Sequence, residues 1–346
     1  MRDNTILLII CITLLNFFNL SFCGIVNLTL TKHNYNLYNV YTCIGHPAKC
    51  KGLILSYVKE NITLTKAFGY SDSTTTRIIE ETKNQREVTD QIMLRSSGLT
   101  ETYMMNDVTI IELFESSRKS GFFGLGYSRD SKHQSTLLNR LFTLANKKKV
   151  FYIDSDKNIL SIGDYPQKFY ELKSNGYKIK QCNLIFDYSP IQNDGYRCKV
   201  DSIYFKLNSS NKYFHYIINQ EISFSPGANL IYVPIDIMDT LANDFLPKSI
   251  YEQCEYIQEQ QRFVRCNTDF DPSQLKELKP ISFVFNSFSI SIPPSDLFDT
   301  IDGNKYFMFA NNRLQQKYWK FGYPLLKHNL IAFDLEDNVI SFIPKQ

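Results

Sequence analysis

YWKFGYPLLKHNLIAFDLEDNVISFIP, residues 318–344, is the stretch that most constrains the fold. It holds two short β-prone runs, LIAFDL and VISFIP, separated by turn residues. Runs of the same kind recur along the whole chain, among them GLILSYV, VFYI, CNLIFDY and ISFVF. Aromatic residues are abundant, with 26 Phe and 22 Tyr, and aromatics favour strands. This rhythm predicts a mostly β protein built as a sandwich or barrel.

Two stretches read instead as short helices. They are residues 135–147, STLLNRLFTLANK, and residues 234–246, PIDIMDTLANDFL, where apolar residues recur at helical spacing. Each follows a glycine-containing turn in its own half of the chain, which predicts a duplicated architecture. We place the two lobes at residues 24–175 and 176–346.

Residues 1–23 have the layout of a signal peptide. One positive charge, at Arg2, precedes an apolar run from Ile6 to Phe18, and small or polar residues follow. We expect cleavage after Cys23 and a secreted protein, or one held in an endomembrane or vacuolar lumen. An uncleaved membrane anchor is the alternative. No second apolar run is long enough to span a bilayer.

Six cysteines remain after cleavage, an even number that suits an oxidising compartment. They allow 15 pairings, and the simplest joins sequence neighbours: Cys43 with Cys50, Cys182 with Cys198, and Cys254 with Cys266. The chain has no Cys-x-x-Cys and no His-Glu-x-x-His spacing, so neither a metal site nor any other cofactor is expected. Three sequons agree with a secretory route: Asn27, Asn61 and Asn208.

The charge pattern argues against nucleic-acid binding. The formal net charge is only +3, and the densest basic run, Lys147 to Lys149, precedes an apolar strand-like stretch and reads as a solvated turn.

Several landmarks in one order resemble the pepsin-like aspartic peptidases. GFFGLGYSRDS with LLNRLF, residues 121–142, is similar to the family's Gly-Ile-Leu-Gly-Leu-Gly segment and the helix after it. Residues 318–344 are similar to the family's closing segment. The resemblance covers nearly all of the mature chain and implies a two-lobed double β-barrel, without cofactor and monomeric.

The same resemblance locates the expected catalytic turns. In the family each lobe offers one Asp-Thr-Gly turn, and the paired carboxylates activate water. The matching second-lobe turn is SPGANLI, residues 225–231, which puts Ser225 in place of the aspartate. Asn36, Leu37 and Tyr38 resemble the Asn-Leu-Trp that follows the first turn, so Thr31 is expected in place of the other aspartate.

About seven residues separate the predicted cleavage site from Thr31. The first lobe is therefore expected to be truncated at its N-terminus, without the opening hairpin; a gene sequence that starts too late is the alternative. The resemblance also implies that residues 77–87 are the substrate-covering flap, around Ile78 and Ile79, without the family's tyrosine or glycine.

A serine or threonine hydroxyl is essentially never ionised near working pH, so it cannot replace a carboxylate as the general base for water. The leading hypothesis is an inactive homologue that binds a peptide, protein or glycan in or near the former cleft. The alternatives are an active aspartic endopeptidase with a misplaced site and a decaying duplicate without function.

Overall fold

A computed structural model describes most of the chain after the predicted signal peptide. The described residues are 25–33, 37–46, 48–57, 59, 61–65, 70, 74–97, 102–114, 121–126, 136–186, 195–208, 210–225, 228–251, 253–258, 261–267, 269–271, 278–301, 303–312 and 319–345. The predicted signal peptide lies outside these residues.

The strands are β1 (Val26–His33), β2 (Leu37–Ile44), β3 (Lys49–Ser56), β4 (Ile62–Thr65), β5 (Arg77–Glu81), β6 (Gln85–Arg95), β7 (Thr102–Leu113), β8 (Phe122–Gly124), β9 (Val150–Asp154), β10 (Ile159–Ile162), β11 (Lys180–Asn183), β12 (Ile185–Phe186), β13 (Tyr196–Lys206), β14 (Tyr213–Phe224), β15 (Ile231–Tyr232), β16 (Cys254–Gln258), β17 (Gln261–Cys266), β18 (Ile281–Phe285), β19 (Phe288–Ile292), β20 (Phe298–Ile301), β21 (Asn304–Asn312), β22 (Lys320–Phe321), β23 (Asn329–Asp334) and β24 (Val339–Pro344). The helices are α1 (Leu137–Ala145), α2 (Gln167–Ser174), α3 (Ile235–Thr240), α4 (Lys248–Tyr251) and α5 (Tyr323–His328), with a π-helical turn at Leu241–Phe245 and a 3₁₀ turn at Pro294–Asp296.

The strands form two large sheets, which confirms the mostly β prediction. The first has the order β11-β24-β23-β9-β10-β1-β2-β3-β8-β4-β7-β6-β5, and the second β16-β17-β21-β15-β22-β14-β13-β18-β19. Strands β11, β23 and β24 come from the second half of the chain, yet they belong to the first sheet. The two halves therefore share one sheet, and the boundary between residues 175 and 176 stays a prediction.

The shared sheet contains the same hairpin twice. In β9–β10 the Asp154 carboxylate accepts two backbone N–H bonds within the turn, at 3.1 and 3.2 Å. In β23–β24 the Asp334 carboxylate does the same, at 2.9 and 2.8 Å. Asn158 and Asn338 close the two turns with positive φ, a conformation that asparagine tolerates. The hairpins lie side by side because β9 pairs with β23.

The opening hairpin of the first lobe is present. Strand β1 pairs antiparallel with β2, from Leu30 opposite Val40 to His33 opposite Leu37. Strand β2 then pairs with β3. The expectation of a first lobe without its opening hairpin is therefore wrong, because β1 and β2 form that hairpin.

Both predicted helices form. Helix α1 begins after Thr136, whose hydroxyl accepts from the backbone N–H of Asn139 at 3.3 Å, and it ends at Asn146 with φ of 50°. In the second half α3 starts after Pro234 and runs directly into the π-helical turn. Both helices bury an apolar face.

Three disulfides form with the predicted pairing: Cys43–Cys50, Cys182–Cys198 and Cys254–Cys266. The first and last each cross a hairpin, β2–β3 and β16–β17. The middle one joins β11 of the shared sheet to β13 of the second sheet.

One continuous apolar core runs through both halves, and many of its largest buried side chains are aromatic. Across the described residues, no helix is long and apolar enough to cross a membrane.

Candidate functional site

Two turns in the molecule have the same surroundings. The first begins at Ser56, the last residue of β3, and the second begins at Ser225, directly after β14. Strand β3 runs parallel to β8 and pairs Ser56 with Gly124. Strand β14 runs parallel to β22 and pairs Phe224 with Phe321, one residue before Gly322.

A glycine packs tightly against each turn. A Cβ on Gly124 would lie 2.4 Å from the carbonyl oxygen of Asn61 and 2.5 Å from that of Lys59. A Cβ on Gly322 would lie 2.2 Å from the carbonyl oxygen of Leu230 and 2.5 Å from that of Ala228. No side chain fits at either position, which explains both glycines.

The spacing within the two turns is identical. Lys59 and Ala228 each lie three residues after a serine, at Ser56 and Ser225 respectively. The carbonyl of Lys59 accepts from Gly126 N at 2.7 Å, and that of Ala228 accepts from Tyr323 N at 2.8 Å. Ser56 is therefore the counterpart of Ser225 in this repeated geometry.

Thr31 is not in this arrangement. It lies inside β1, opposite Asn39 of β2, and its hydroxyl donates to the Asn39 carbonyl at 3.4 Å. The prediction that Thr31 occupies the first-lobe turn is wrong, because regular strand pairing continues through it. The turn next to Gly124 is the one that begins at Ser56.

Each of the two turns begins with a hydroxyl side chain. Ser56 Oγ accepts from the backbone N–H of Lys59 at 3.3 Å, as in a serine-initiated turn. Ser225 is partly buried, and its backbone N–H donates to the Phe321 carbonyl at 2.8 Å. Neither position supplies a carboxylate. Among the described residues, no cluster of His, Cys, Asp or Glu could hold a metal ion.

Tyr57, next to Ser56, extends into the core between the two halves. Its ring lies 5.7 Å from Phe151, 5.2 Å from Tyr196 and 5.0 Å from Phe333, measured between centroids. Its hydroxyl is buried and has no hydrogen-bond partner among the described residues. Burial raises the pKa of Tyr57, so the hydroxyl stays neutral.

A cation lies beside the second turn. Lys32 Nζ donates to Tyr323 Oη at 3.1 Å and lies 4.5 Å from the centre of that ring. Tyr323 in turn donates its backbone N–H to Ala228. Tyr38 packs on Tyr323 at 5.9 Å, and burial raises its pKa above the ordinary value.

Similarity to known proteins agrees with this repeated geometry. The family model for eukaryotic aspartyl protease matches residues 86–345. The chain belongs to the eukaryotic aspartyl protease family. No curated protein sequence matches it significantly.

Solved structures of this aspartyl protease fold cover nearly the whole chain. Conglutin gamma, a basic 7S globulin from lupine seeds, is similar at a TM-score of 0.68 and 13% identity, over 93% of this chain and 95% of that one. The basic 7S globulin from soybean gives 0.67 and 13%, over the same shares. The aspartic proteinase from Irpex lacteus gives 0.61 and 14%, over 92% of this chain and 97% of that one. These matches bear out the two-lobed pepsin-like fold.

The segment predicted as the flap of the aspartyl protease forms an exposed hairpin. All five residues of β5 are exposed, with Ile78 at 55% and Ile79 at 56%. The turn closes where Thr82 N donates to the Gln85 carbonyl at 2.8 Å. Residues 77–87 contain neither tyrosine nor glycine. That this hairpin covers a cleft stays a prediction.

The sequons lie in different environments. Asn208 is exposed at the end of β13, and Asn27 is half-buried within β1. Asn61 closes the first turn, and its side-chain oxygen is buried without a partner among the described residues. Glycosylation stays a prediction, and the structure favours Asn208 over Asn61 because a glycan needs an accessible amide.

Sequence reasoning missed Ser56, although a signal was present. ILS at residues 54–56 and SFS at residues 223–225 both end a strand on serine. Asn61 and Ile62 follow Ser56 at the same spacing, five and six residues, at which Asn36 and Leu37 follow Thr31.

Proposed function

We propose that this aspartyl protease homologue has lost peptidase activity and acts by binding a peptide, protein or glycan in or near the former substrate cleft. The observation that carries the proposal is the pair of serines, Ser56 and Ser225, at equivalent places in the two repeated turns. A hydroxyl with a pKa far above working pH cannot share a proton and activate water as paired carboxylates do.

The residue after Ser56 supports the same conclusion. In the family, a threonine in each turn braces the pair through its hydroxyl. Tyr57 instead fills the aromatic core, and its hydroxyl has no partner among the described residues. The first turn reads Ser-Tyr-Val at residues 56–58, where the family has Asp-Thr-Gly. Both the reactive groups and their support are therefore replaced.

The scaffold and the exposed hairpin are compatible with binding without cleavage. The two-lobed scaffold is present, and the hairpin β5–β6 projects exposed side chains that can contact a ligand. Similar structures include proteins named as 7S globulins as well as one named as a proteinase, so the fold does not by itself imply proteolysis. The disulfides fit an extracellular or endomembrane location, and we expect a monomer.

The test is a peptidase assay on the mature protein produced by a eukaryotic secretion host. Incubation with a denatured protein substrate from acidic to neutral pH, with and without pepstatin, is expected to give no cleavage. A double variant, Ser56→Ala with Ser225→Ala, is the matched control and should behave like the wild type. Pepstatin-sensitive cleavage by the wild type would contradict the proposal and favour an active endopeptidase.

Secretion and limited proteolysis distinguish a functional binder from a duplicate that has lost its function. A functional binder is expected to be secreted, cooperatively folded and resistant to limited proteolysis. Poor secretion without a protease-resistant core would instead favour a duplicate that has lost its function.

A further inference from the structure

A pocket of about 740 Å³ lies away from the two serine turns. It is bounded by the β9–β10 turn, β11, the β18–β19 hairpin, the end of α5 and the end of β24. Its lining residues are Asp156, Lys180, Pro280, Ser289, Ile290, Ser291, Pro293, Lys327, His328, Asn329, Pro344 and Lys345. No residue of either turn lines it, so its role is independent of the loss of peptidase activity.

The wall of this pocket carries an excess of positive charge. Three lysines line it, Lys180, Lys327 and Lys345, whereas two carboxylates contact these lysines, those of Asp156 and Asp296. A pocket lined in this way favours an anionic ligand.

Two of the three lysines are held in place. Lys345 has a side chain only 9% exposed and donates to the Asp156 carboxylate at 2.8 Å. Lys327 donates to the buried Asp296 carboxylate at 3.0 Å. Burial acts to lower the pKa of Lys327, but the bond to Asp296 outweighs it and raises that pKa. Both ammonium groups are thus held in position before a ligand arrives.

Lys180 differs because its partner is neutral. Its ammonium group donates to the carbonyl oxygen of Ser289 at 2.8 Å. Among the described residues, no carboxylate lies within ion-pairing distance of it. The charge of Lys180 is therefore available to a ligand, and two of its three N–H donors remain for that purpose.

Part of the remaining wall is apolar, beside the polar Ser289, Ser291 and Asn329. Pro280, Ile290, Pro293 and Pro344 contribute apolar side chains. A single oxyanion would leave most of this volume empty, whereas pockets of roughly 300–1,000 Å³ suit small organic ligands. Proline and isoleucine surfaces pack well against the face of a ring.

We propose that this pocket binds a ring-bearing phosphate or sulfate monoester, with the anionic group at Lys180 and Lys327 and the ring against the prolines. The ester oxygens accept charge-assisted hydrogen bonds from the ammonium groups.

The test is isothermal titration calorimetry on the mature protein at low ionic strength. Probes are phenyl phosphate, phenyl sulfate and glucose 6-phosphate, compared with inorganic phosphate and uncharged glucose. We expect at least one ester to bind with a Kd below about 1 mM, more tightly than inorganic phosphate and glucose, and to weaken as salt screens the lysines. Equal affinity for inorganic phosphate would overturn the assignment of a ring-bearing ligand.

The decisive variant is Lys180→Gln, because its partner is neutral and its removal leaves no buried charge unpaired. Binding should weaken about tenfold, as expected for the loss of one charge-assisted hydrogen bond. Lys180→Arg should retain binding, and Lys178→Gln, which removes the same charge from an exposed position nearby, should leave it unchanged. Equal affinities in Lys180→Gln and Lys178→Gln, or no binding of any ester by the wild type, would overturn the proposal.

Discussion

The buried hydroxyl of Tyr57 destabilises the folded state. Its ring contributes to the aromatic cluster between the lobes, but its hydroxyl is buried without a partner among the described residues. Burying an unpaired hydroxyl costs roughly 1–3 kcal/mol. Tyr196, packed against the same ring, instead donates its hydroxyl to the Leu125 carbonyl.

These neighbours give a matched pair of variants. Tyr57→Phe removes the unpaired hydroxyl and should raise the free energy of unfolding by about 1 kcal/mol, whereas Tyr196→Phe removes a made hydrogen bond and should lower it by about 1 kcal/mol. Chemical denaturation of both variants and the wild type measures the difference. Destabilisation by Tyr57→Phe would mean that the hydroxyl has a partner.

Ser225 was predictable because its turn keeps the glycine and the Leu-Ile of the family, at residues 227 and 230–231. Ser56 was not predicted, because Val58 replaces the glycine that would mark the turn. Asn36, Leu37 and Tyr38 resemble the Asn-Leu-Trp of the family, and they indicated Thr31 instead, which lies within β1. The partner glycine, Gly124, was visible, but only packing shows which turn it touches.

At the scale of elements, the exposed hairpin β5–β6 depends on one buried carboxylate. Asp90 of β6 accepts from Tyr70 Oη at 2.6 Å, from Thr76 Oγ1 at 2.9 Å and from the backbone N–H of Gln91 at 2.7 Å, and also from Thr75. These bonds tie the segment before β5 to β6. The exposed segment at residues 77–87 was predictable because strand patterning is local in the sequence. The hydrogen bonds of Asp90 were not predictable, because they join residues that are distant in the sequence.

Asp90 also makes the free energy of unfolding depend on pH. Burial acts to raise its pKa, but the hydrogen bonds from Thr75, Tyr70, Gln91 and Thr76 outweigh it, so the folded pKa lies below the ordinary value. The stabilisation is therefore present above the unfolded pKa, about 3.9, and is lost as pH falls through the folded pKa.

Asp90→Asn should lower the free energy of unfolding at neutral pH by about 1–3 kcal/mol and should reduce its loss at acidic pH. Urea denaturation at neutral pH and at about pH 3 measures both effects. Asp107→Asn is the control, because it removes the same charge from an exposed site where asparagine also tolerates the positive φ. A pH dependence unchanged in Asp90→Asn would contradict this account.

At the scale of the molecule, the shared sheet makes the lobes dependent on each other. Phe151 of β9 stacks on Phe333 of β23 at 5.0 Å, and the two strands are hydrogen-bonded. Residues 24–175 expressed alone would leave β9 as an exposed edge and remove one side of this aromatic cluster. The recurring helices and the family resemblance predicted two lobes, but no local pattern predicts that three late strands join the first sheet.

We therefore expect residues 24–175 alone to show no cooperative unfolding and little protection from proteolysis. Co-expression with residues 176–346 should restore both, and the uncut mature chain is the reference. Circular dichroism during thermal unfolding, with limited proteolysis, makes the comparison. A stable, protease-resistant first half would show that the shared sheet is not required.

The strand order of the shared sheet also affects how the protein folds during synthesis. Strands β9, β10 and β1 emerge from the ribosome early, but their neighbours β23 and β24 emerge after every other described strand. Until then the growing chain presents an open strand edge and unburied aromatic rings, which are prone to aggregation. The shared sheet is complete only after β24 has been made, so this chain is exposed to aggregation for longer than a chain whose domains close one after another.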